Sequence, residues 1–192
     1  LSNLKHLDDY WKLSYDPGFK FSVPFTWGTT GIAVNTAKVN TPKEGVGWKL
    51  LLESPDPKHS SLLDDMREVF SSVLLSRGQS PNTRDPQVLE ATKQEIARIK
   101  DRVLMFTSEP KPLLMREELT IAHIYSTDAI QAGIENPSIR YFIPREGGVI
   151  WTDNLAIPKS SEHVDAAHRF INYFLDHLRI RVGGKIQLFK LQ

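Results

Sequence analysis

The chain has 192 residues, of which 40% are hydrophobic and 24% charged, a composition typical of a folded globular protein rather than a disordered or repetitive one. Its 24 Lys and Arg against 23 Asp and Glu leave a formal charge of +1, and no basic run is dense enough for phosphate contacts, so we expect no nucleic-acid partner. The absence of cysteine excludes thiol catalysis, disulfides and thiolate metal sites. The longest apolar stretches fall far short of the about 20 residues that cross a bilayer, so we expect no membrane span.

The predicted elements alternate between strands and helices along the chain. Apolar spacing predicts strands at residues 21–27, 31–35 and 61–63, a helix at 65–77, a second helix from 85 to 100, strands at 104–107 and 119–125, a helix at 126–132, strands at 139–143 and 149–157, and a last helix from residue 161. Gly28-Thr29-Thr30 is expected to separate the first two strands. This order predicts an α/β fold with a largely parallel sheet.

Five blocks of sequence, spread over residues 1–176, carry a family resemblance. They are SVPFTWGTTGIAVN at 22–35, LLDDMREVF at 62–70, IYSTDAIQA at 124–132, REGGVIWTDNLAIPK at 145–159 and AAHRFINYFLD at 166–176. Together they resemble the spermidine- and putrescine-binding periplasmic proteins of bacterial ABC transporters. The resemblance implies a fold of the type II periplasmic binding proteins, in which two α/β lobes are joined by crossing strands and grip the ligand between them.

The resemblance also implies a domain organisation. Residues 1–31 would form the end of the first lobe and a crossing strand, residues 32–147 the second lobe, and residues 148–192 a crossing strand and the return to the first lobe. Because family members are considerably longer, we expect an interior fragment that lacks most of the first lobe. The tail after residue 176 diverges from the family, and core surface of the truncated lobe is expected to be open to self-association.

Paired acidic residues open the predicted helix at 65–77. Asp65 and Glu68 lie three residues apart, so they share one face of the helix beside the end of a strand. The same spacing is that of a capping box, in which both side chains satisfy free backbone N–H groups of the first turn. The resemblance implies that both carboxylates contact amine groups, and the two interpretations can coexist.

Aromatic residues stand next to carboxylates at two further places. Tyr125 and Asp128 lie at a strand-to-helix junction, and Trp151 and Asp153 alternate along a strand, so that they project from the same face. Without the resemblance, Tyr125 is interpreted as an interface tyrosine and Trp151 as a core residue. Asp128 is then an ordinary aspartate of a first helical turn, and Asp153 is a turn residue. With it, Tyr125 and Trp151 pack on the alkyl chain of a polyamine, and the carboxylates hold ammonium groups. Trp27 is expected to pack at the hinge.

The resulting hypothesis is a solute-binding protein. It captures putrescine or spermidine in the periplasm and delivers the amine to the permease of an ABC transporter, with no chemical step, no catalytic residue, no metal and no cofactor. One alternative is a carboxylate-based hydrolase such as a glycosidase, in which Asp65, Glu68 or Asp153 act as acid and base. A second alternative is a non-functional truncated remnant. The sequence does not decide between the two polyamines.

Overall fold

The computed structural model describes residues 1–7 and 13–183, with side chains up to residue 176. The predicted divergent tail therefore lies outside the described side chains. The chain divides into a larger unit, residues 28–151, and a smaller unit made of residues 1–27 and 152–192. The predicted lobe boundaries after residues 31 and 147 stay a prediction. Within the described part of the chain, no helix is both long and apolar enough to cross a bilayer.

The described secondary structure comprises six strands and six α-helices. The strands are β1 (Val23–Asn35), β2 (Ser60–Leu62), β3 (Met105–Phe106), β4 (Ile121–Tyr125), β5 (Ile139–Phe142) and β6 (Val149–Leu155). The helices are α1 (Lys49–Leu52), α2 (Met66–Ser76), α3 (Pro86–Ile99), α4 (Pro110–Met115), α5 (Ser126–Glu135) and α6 (Val164–Gly183), with short 3-10 turns at Ser2–His6, Pro57–His59 and Lys100–Arg102. The short helices α1 and α4 were not predicted, because four and six residues carry too little helical periodicity.

The sheet is mixed, so the predicted largely parallel sheet is wrong. Its strand order is β3-β2-β4-β1-β5, and β6 also pairs with β1. Strand β2 runs parallel to β3 and β4, whereas β1 runs antiparallel to β4 and β5, with Ile32 opposite both His123 and Phe142. Helical crossovers connect β2, β3 and β4, and such connections impose parallel pairing. Among the residues described before β1, no crossover helix leads into this strand, which the chain reaches from the smaller unit.

Strand β1 is continuous over 13 residues, so the predicted break at residues 28–30 is also wrong. Gly28 and Gly31 allow neighbouring groups to approach the backbone of β1 closely, and they do not form a turn. A Cβ on Gly28 would lie 2.3 Å from Cζ2 of Trp151, and one on Gly31 would lie 2.4 Å from the backbone oxygen of Phe142. The strand therefore needs residues without a side chain where neighbouring groups press on its backbone.

Replacing Gly31 by alanine is expected to destabilise the chain by about 1 to 3 kcal/mol, because the clashing atom belongs to the backbone of β5 and cannot rotate away. Urea denaturation measures the free energy of unfolding. Gly18 is the matched control, since a Cβ there meets nothing nearer than side-chain carbons of Lys20 at 3.7 Å. Equal stability of the Gly31→Ala and Gly18→Ala variants would contradict this packing.

The core of the larger unit lies on both faces of the sheet. Alternate residues of β1 point to opposite faces, so that Ile32 and Val34 join one cluster and Ala33 joins the other. The first cluster includes Trp48, which is almost completely buried. Helices α2 and α3 pack against each other, and α5 packs against β4 and β5. This scaffold fixes the strand ends after which the functional side chains follow.

The smaller unit is held by contacts between its two chain segments. The Ser2–His6 turn packs on α6, where the backbone N–H of Asn3 donates to the side-chain oxygen of Asn172 at 3.0 Å. Val23, Ile171 and Leu175 form its small buried core. Apolar residues at helical spacing on α6 build that core, as the sequence predicted for this helix.

Candidate functional site

Asp65 caps the N-terminus of α2, three residues after the end of β2. Its Oδ1 atom accepts hydrogen bonds from the backbone N–H groups of Arg67 at 2.9 Å and Glu68 at 3.1 Å. The predicted cap is therefore confirmed. No described hydrogen bond joins the Glu68 carboxylate to the N–H of Asp65, so only one half of the capping box forms. The second oxygen of Asp65 and the whole carboxylate of Glu68 are not used by the cap.

Glu68 is a buried carboxyl group without a hydrogen-bond partner at one oxygen. The residue is only 7% exposed, and Oε2 bonds to no group in the described part of the chain. Burial raises the pKa of Glu68 to about 7, with the negative charge of Asp65 adding to the rise and Thr30 and Arg67 opposing it. A buried carboxylate that lacks a counter-charge favours its neutral form, and an incoming cation would reverse this preference.

Tyr125 lies beside three carboxylates. Burial and the charges of Asp65, Glu68 and Asp128 raise the pKa of Tyr125 to about 12, and Asp65 also interacts with the tyrosine hydroxyl. Asp128 stands in the first turn of α5, which begins at the residue after Tyr125. The ends of β2 and β4 lie at the same edge of the sheet because these two strands are parallel neighbours. The helices that follow these strands, α2 and α5, therefore place Asp65, Glu68 and Asp128 at this edge of the sheet, where all three act on Tyr125.

Trp151 completes this group on the aromatic side. Its indole ring meets the Tyr125 ring edge to face, with the centroids 5.8 Å apart and the planes at 87°. The ring also covers the backbone of Gly28, where no Cβ fits. Trp151 Nε1 is buried and bonds to no described group. Tyr125 and Trp151 thus form two perpendicular walls next to the carboxylates.

We name this arrangement the acidic-aromatic cluster: Asp65, Glu68, Tyr125, Asp128 and Trp151. The structure brings together all of the predicted site residues that belong to the larger unit. Asp153 lies on β6 in the smaller unit and is exposed, so its role as a ligand contact stays a prediction. Trp27 also belongs to the smaller unit, at the point where β1 leaves it, and its hinge role likewise stays a prediction.

Most of the chain is similar to known proteins. A family model described as bacterial extracellular solute-binding protein matches residues 1–177. The chain belongs to this family. The spermidine/putrescine-binding periplasmic protein 1 of Haemophilus influenzae is 36% identical over 176 residues, which are 90% of this chain and 48% of that protein. The spermidine/putrescine-binding periplasmic protein of Escherichia coli is 36% identical over 178 residues, 91% of this chain and 51% of that protein.

Solved structures of solute-binding proteins share the fold. One described as a spermidine/putrescine ABC transporter from Listeria monocytogenes superposes with a TM-score of 0.84 at 33% identity, covering 93% of this chain and 56% of that one. A lipoprotein of Treponema pallidum gives a TM-score of 0.81 at 27% identity. These neighbours are type II periplasmic binding proteins, which confirms the predicted fold class. The chain spans about half the length of the curated relatives it matches.

Three further residues of this solute-binding chain border the cluster and escaped prediction. Thr30 stands opposite Tyr125 in the β1–β4 register and is completely buried. His123 is also completely buried, packs edge to face on Trp48 at 5.1 Å, and has a pKa that burial lowers to about 3. Tyr141 shares a hydrogen bond of 2.9 Å with Thr29. For His123 the signal was present in the sequence, because its imidazole interrupts the otherwise apolar and aromatic strand IAHIY.

The chemistry available at the cluster is recognition of a cation. Asp65, Glu68 and Asp128 supply three carboxyl groups, and Arg67 is the cationic side chain that acts on Glu68. The positive end of the α2 dipole, worth about half a charge, offsets only part of this negative potential. Among the described residues, no group of three His, Asp or Glu side chains could hold a metal ion. An organic ammonium group next to aromatic rings fits the arrangement.

Proposed function

We propose that this solute-binding chain carries a polyamine site, with putrescine or spermidine as the ligand. The single observation that carries the proposal is that three carboxyl groups act on Tyr125, whose ring meets the Trp151 ring edge to face. The carboxylates hold an ammonium group, and the aromatic walls pack on the methylene chain. The names of the curated relatives, which are spermidine- and putrescine-binding proteins, support the same ligand class.

The energetics favour a charged amine over a neutral ligand. Each hydrogen bond between an ammonium group and a carboxylate contributes about 1.5 to 3 kcal/mol, and an aromatic face beneath the cation adds about 0.5 to 2 kcal/mol. Ligand binding also removes the cost of leaving Glu68 buried without a counter-charge. A diol of equal length makes neither charge-assisted contact and should not compete with the diamine.

Asp153 is proposed as an additional carboxylate for the amine. It is exposed and lies two residues after Trp151 on β6, on the same face of the strand. This assignment is separate from the cluster, because Asp153 belongs to the smaller unit.

The biological setting is proposed from the relatives. The whole protein would capture polyamine in the periplasm or outside the cell and deliver it to the permease of an ABC transporter. The named relatives are periplasmic binding proteins, and the matching family consists of extracellular solute-binding proteins. This role needs no chemical step. In this role, the raised pKa of Glu68 follows from burial beside Asp65 and does not require a general acid.

A matched pair of capping variants separates the structural role of Asp65 from ligand contact. Asp65 and Asp85 both accept hydrogen bonds from the first turn of their helices, α2 and α3, but only Asp65 belongs to the cluster. Replacing either by alanine should cost about 0.5 to 2 kcal/mol of stability. Only Asp65→Ala should also weaken putrescine binding, by about 10-fold or more, when the affinity is measured by calorimetry or NMR titration.

Two outcomes contradict the proposal. One is an equal effect of Asp65→Ala and Asp85→Ala on putrescine affinity after correction for stability. The other is the absence of any putrescine-induced NMR shift at Tyr125, Glu68 and Trp151 in the unaltered chain at millimolar amine, the range in which a binding free energy of about −4 kcal/mol gives half saturation. Butane-1,4-diol serves as the neutral control ligand.

A further inference from the structure

Several buried polar atoms in or beside the cluster bond to no group within the described residues, among them Nε1 of Trp151 and both ring nitrogens of His123. Two others belong to neighbouring residues, one of which can donate a hydrogen bond to the other. They are the hydroxyl Oγ1 of Thr30 and the carboxyl Oε2 of Glu68, and neither bonds to any group within the described residues. Buried hydroxyl and carboxyl groups are normally satisfied, because an unmet partner costs free energy. Finding one unused donor next to one unused acceptor in the same place therefore calls for a physical reason.

The fold fixes Thr30 at this position. Strand β1 pairs antiparallel with β4, which puts Thr30 opposite Tyr125, and Thr30 is 0% exposed. Gly28 and Gly31 hold β1 close to Trp151 and β5, so the Thr30 backbone has little freedom to move away. The Thr30 side chain lies near enough to Glu68 to lower its pKa, although the present geometry does not meet the requirements of a hydrogen bond.

The other groups around Glu68 do not replace this donor. Asp65 lies on the same helix and repels the charge of Glu68, while Arg67 attracts it only through space. From β4 and β5, the hydroxyls of Tyr125 and Tyr141 feel the negative charge of Glu68, but the Tyr141 hydroxyl is already engaged with Thr29. Thr30 is therefore a buried neutral donor that interacts with Glu68 and has no other hydrogen-bond partner when the carboxyl group ionises.

We infer that Thr30 is a positioning residue for polyamine binding, whose hydroxyl donates to the ionised carboxylate of Glu68 and holds it toward the ammonium group. This inference rests on the proposed function. In the absence of ligand, the Glu68 carboxyl group is neutral and does not require a hydrogen bond from the Thr30 hydroxyl, so Oε2 of Glu68 and Oγ1 of Thr30 stay unpaired. When an amine enters, Glu68 loses its proton and gains two partners, the ammonium group on one side and Thr30 on the other. The side chain then keeps a single orientation.

Three variants test this role. Thr30→Val removes the hydroxyl at nearly constant volume, and Thr30→Ser keeps it. Thr92→Val removes another completely buried threonine hydroxyl, one that bonds to the Val88 carbonyl oxygen in α3 outside the cluster. Because the Thr30 hydroxyl is unpaired in the free chain, Thr30→Val should fold as stably as the unaltered chain.

The primary readout is the titration of the Glu68 side-chain carboxyl carbon, followed by NMR in the chain without ligand. We expect Thr30→Val to bind the Glu68 proton about 10-fold more tightly, because the ionised form loses its donor. Thr30→Ser should restore the titration of the unaltered chain, and Thr92→Val should leave it unchanged. An unshifted Glu68 titration in Thr30→Val would overturn the inference.

The second readout is putrescine affinity at neutral pH. We expect Thr30→Val to weaken it about 10-fold, with rescue by Thr30→Ser and with the deficit shrinking as the pH rises and Glu68 ionises without help. A pH-independent loss would mean that the methyl group merely blocks the site, and it would overturn the positioning role. If the unaltered chain binds no amine while Thr30 still shifts the Glu68 titration, the proposed function fails and the interaction between Thr30 and Glu68 stands.

Discussion

Replacing Glu68 by glutamine is expected to weaken putrescine binding by about 10- to 100-fold, the effect of losing a charge-assisted hydrogen bond in a buried site. Glutamine keeps the shape of the side chain and removes the charge. The charge of Glu68 acts on the Tyr125 hydroxyl and the residue is only 7% exposed, so water replaces the lost carboxylate poorly. Isothermal titration calorimetry with putrescine measures the change.

Glu90→Gln is the matched control for that measurement. Glu90 is an exposed residue of α3 that pairs with Lys93 at 3.4 Å, and its loss should change neither binding nor stability appreciably. Unchanged putrescine affinity in Glu68→Gln would remove Glu68 from the site and leave Asp65 and Asp128 as the carboxylates that hold the amine.

The same Glu68→Gln substitution is expected to stabilise the ligand-free chain at neutral and alkaline pH. The pKa of Glu68 is raised from 4.5 to about 7 by burial, so between those values the folded chain retains a proton that the unfolded chain has released. Stability therefore falls as the pH rises through this window. At about pH 8 the variant should be more stable by about 1 to 3 kcal/mol, a range that allows for the access of solvent to the cluster.

Below the unfolded-state pKa of Glu68, the two proteins should be equally stable, because the carboxyl group is then protonated both folded and unfolded. The buried His123, whose pKa burial lowers to about 3, also makes stability depend on pH, but it contributes equally to both proteins and cancels in the difference. Urea denaturation at about pH 4 and about pH 8 measures both differences. If the stability difference between Glu68→Gln and the unaltered chain is the same at both pH values, the Glu68 carboxyl group is already ionised or hydrogen-bonded in the ligand-free chain, and the expectation is wrong.

We expect Glu68→Gln to raise the stability of the chain and to weaken putrescine binding. Substitution of a purely structural residue would not have both effects. Binding sites commonly hold groups whose environment is unfavourable until the ligand arrives. Glu68 fits that description, because its carboxyl group is buried beside Asp65 with an unpaired oxygen.

Local signals in the sequence predicted most elements of the larger unit correctly. Asp65 caps α2 as expected, α3 begins one residue after the predicted start at residue 85, with Asp85 as its cap, and Gly78, with φ of +67°, follows the end of α2. These features depend on neighbours within one turn of the chain, which the sequence displays directly. The predicted strands β2 to β6 likewise agree with the structure to within one or two residues at most ends.

Features that depend on distant partners were harder to predict. The continuity of β1 through Gly28 depends on the ring of Trp151, more than 100 residues away in the sequence, so local rules predicted a break instead. The mixed sheet follows from the way β1 enters from another unit, which no apolar pattern encodes. For the site, the resemblance pointed to Asp65, Glu68 and Tyr125. It gave no indication of Thr30, which acquires its neighbours only through the register of β1 with β4.

The most direct measurement is a crystal structure of the chain with putrescine at saturating concentration. We expect an ammonium nitrogen within hydrogen-bond distance, about 2.7 to 3.2 Å, of the carboxylates of Asp65 and Glu68, and methylene groups packed on Tyr125 and Trp151. An ordered putrescine at any other place, or a cluster that stays free of amine at saturation, would contradict this expectation.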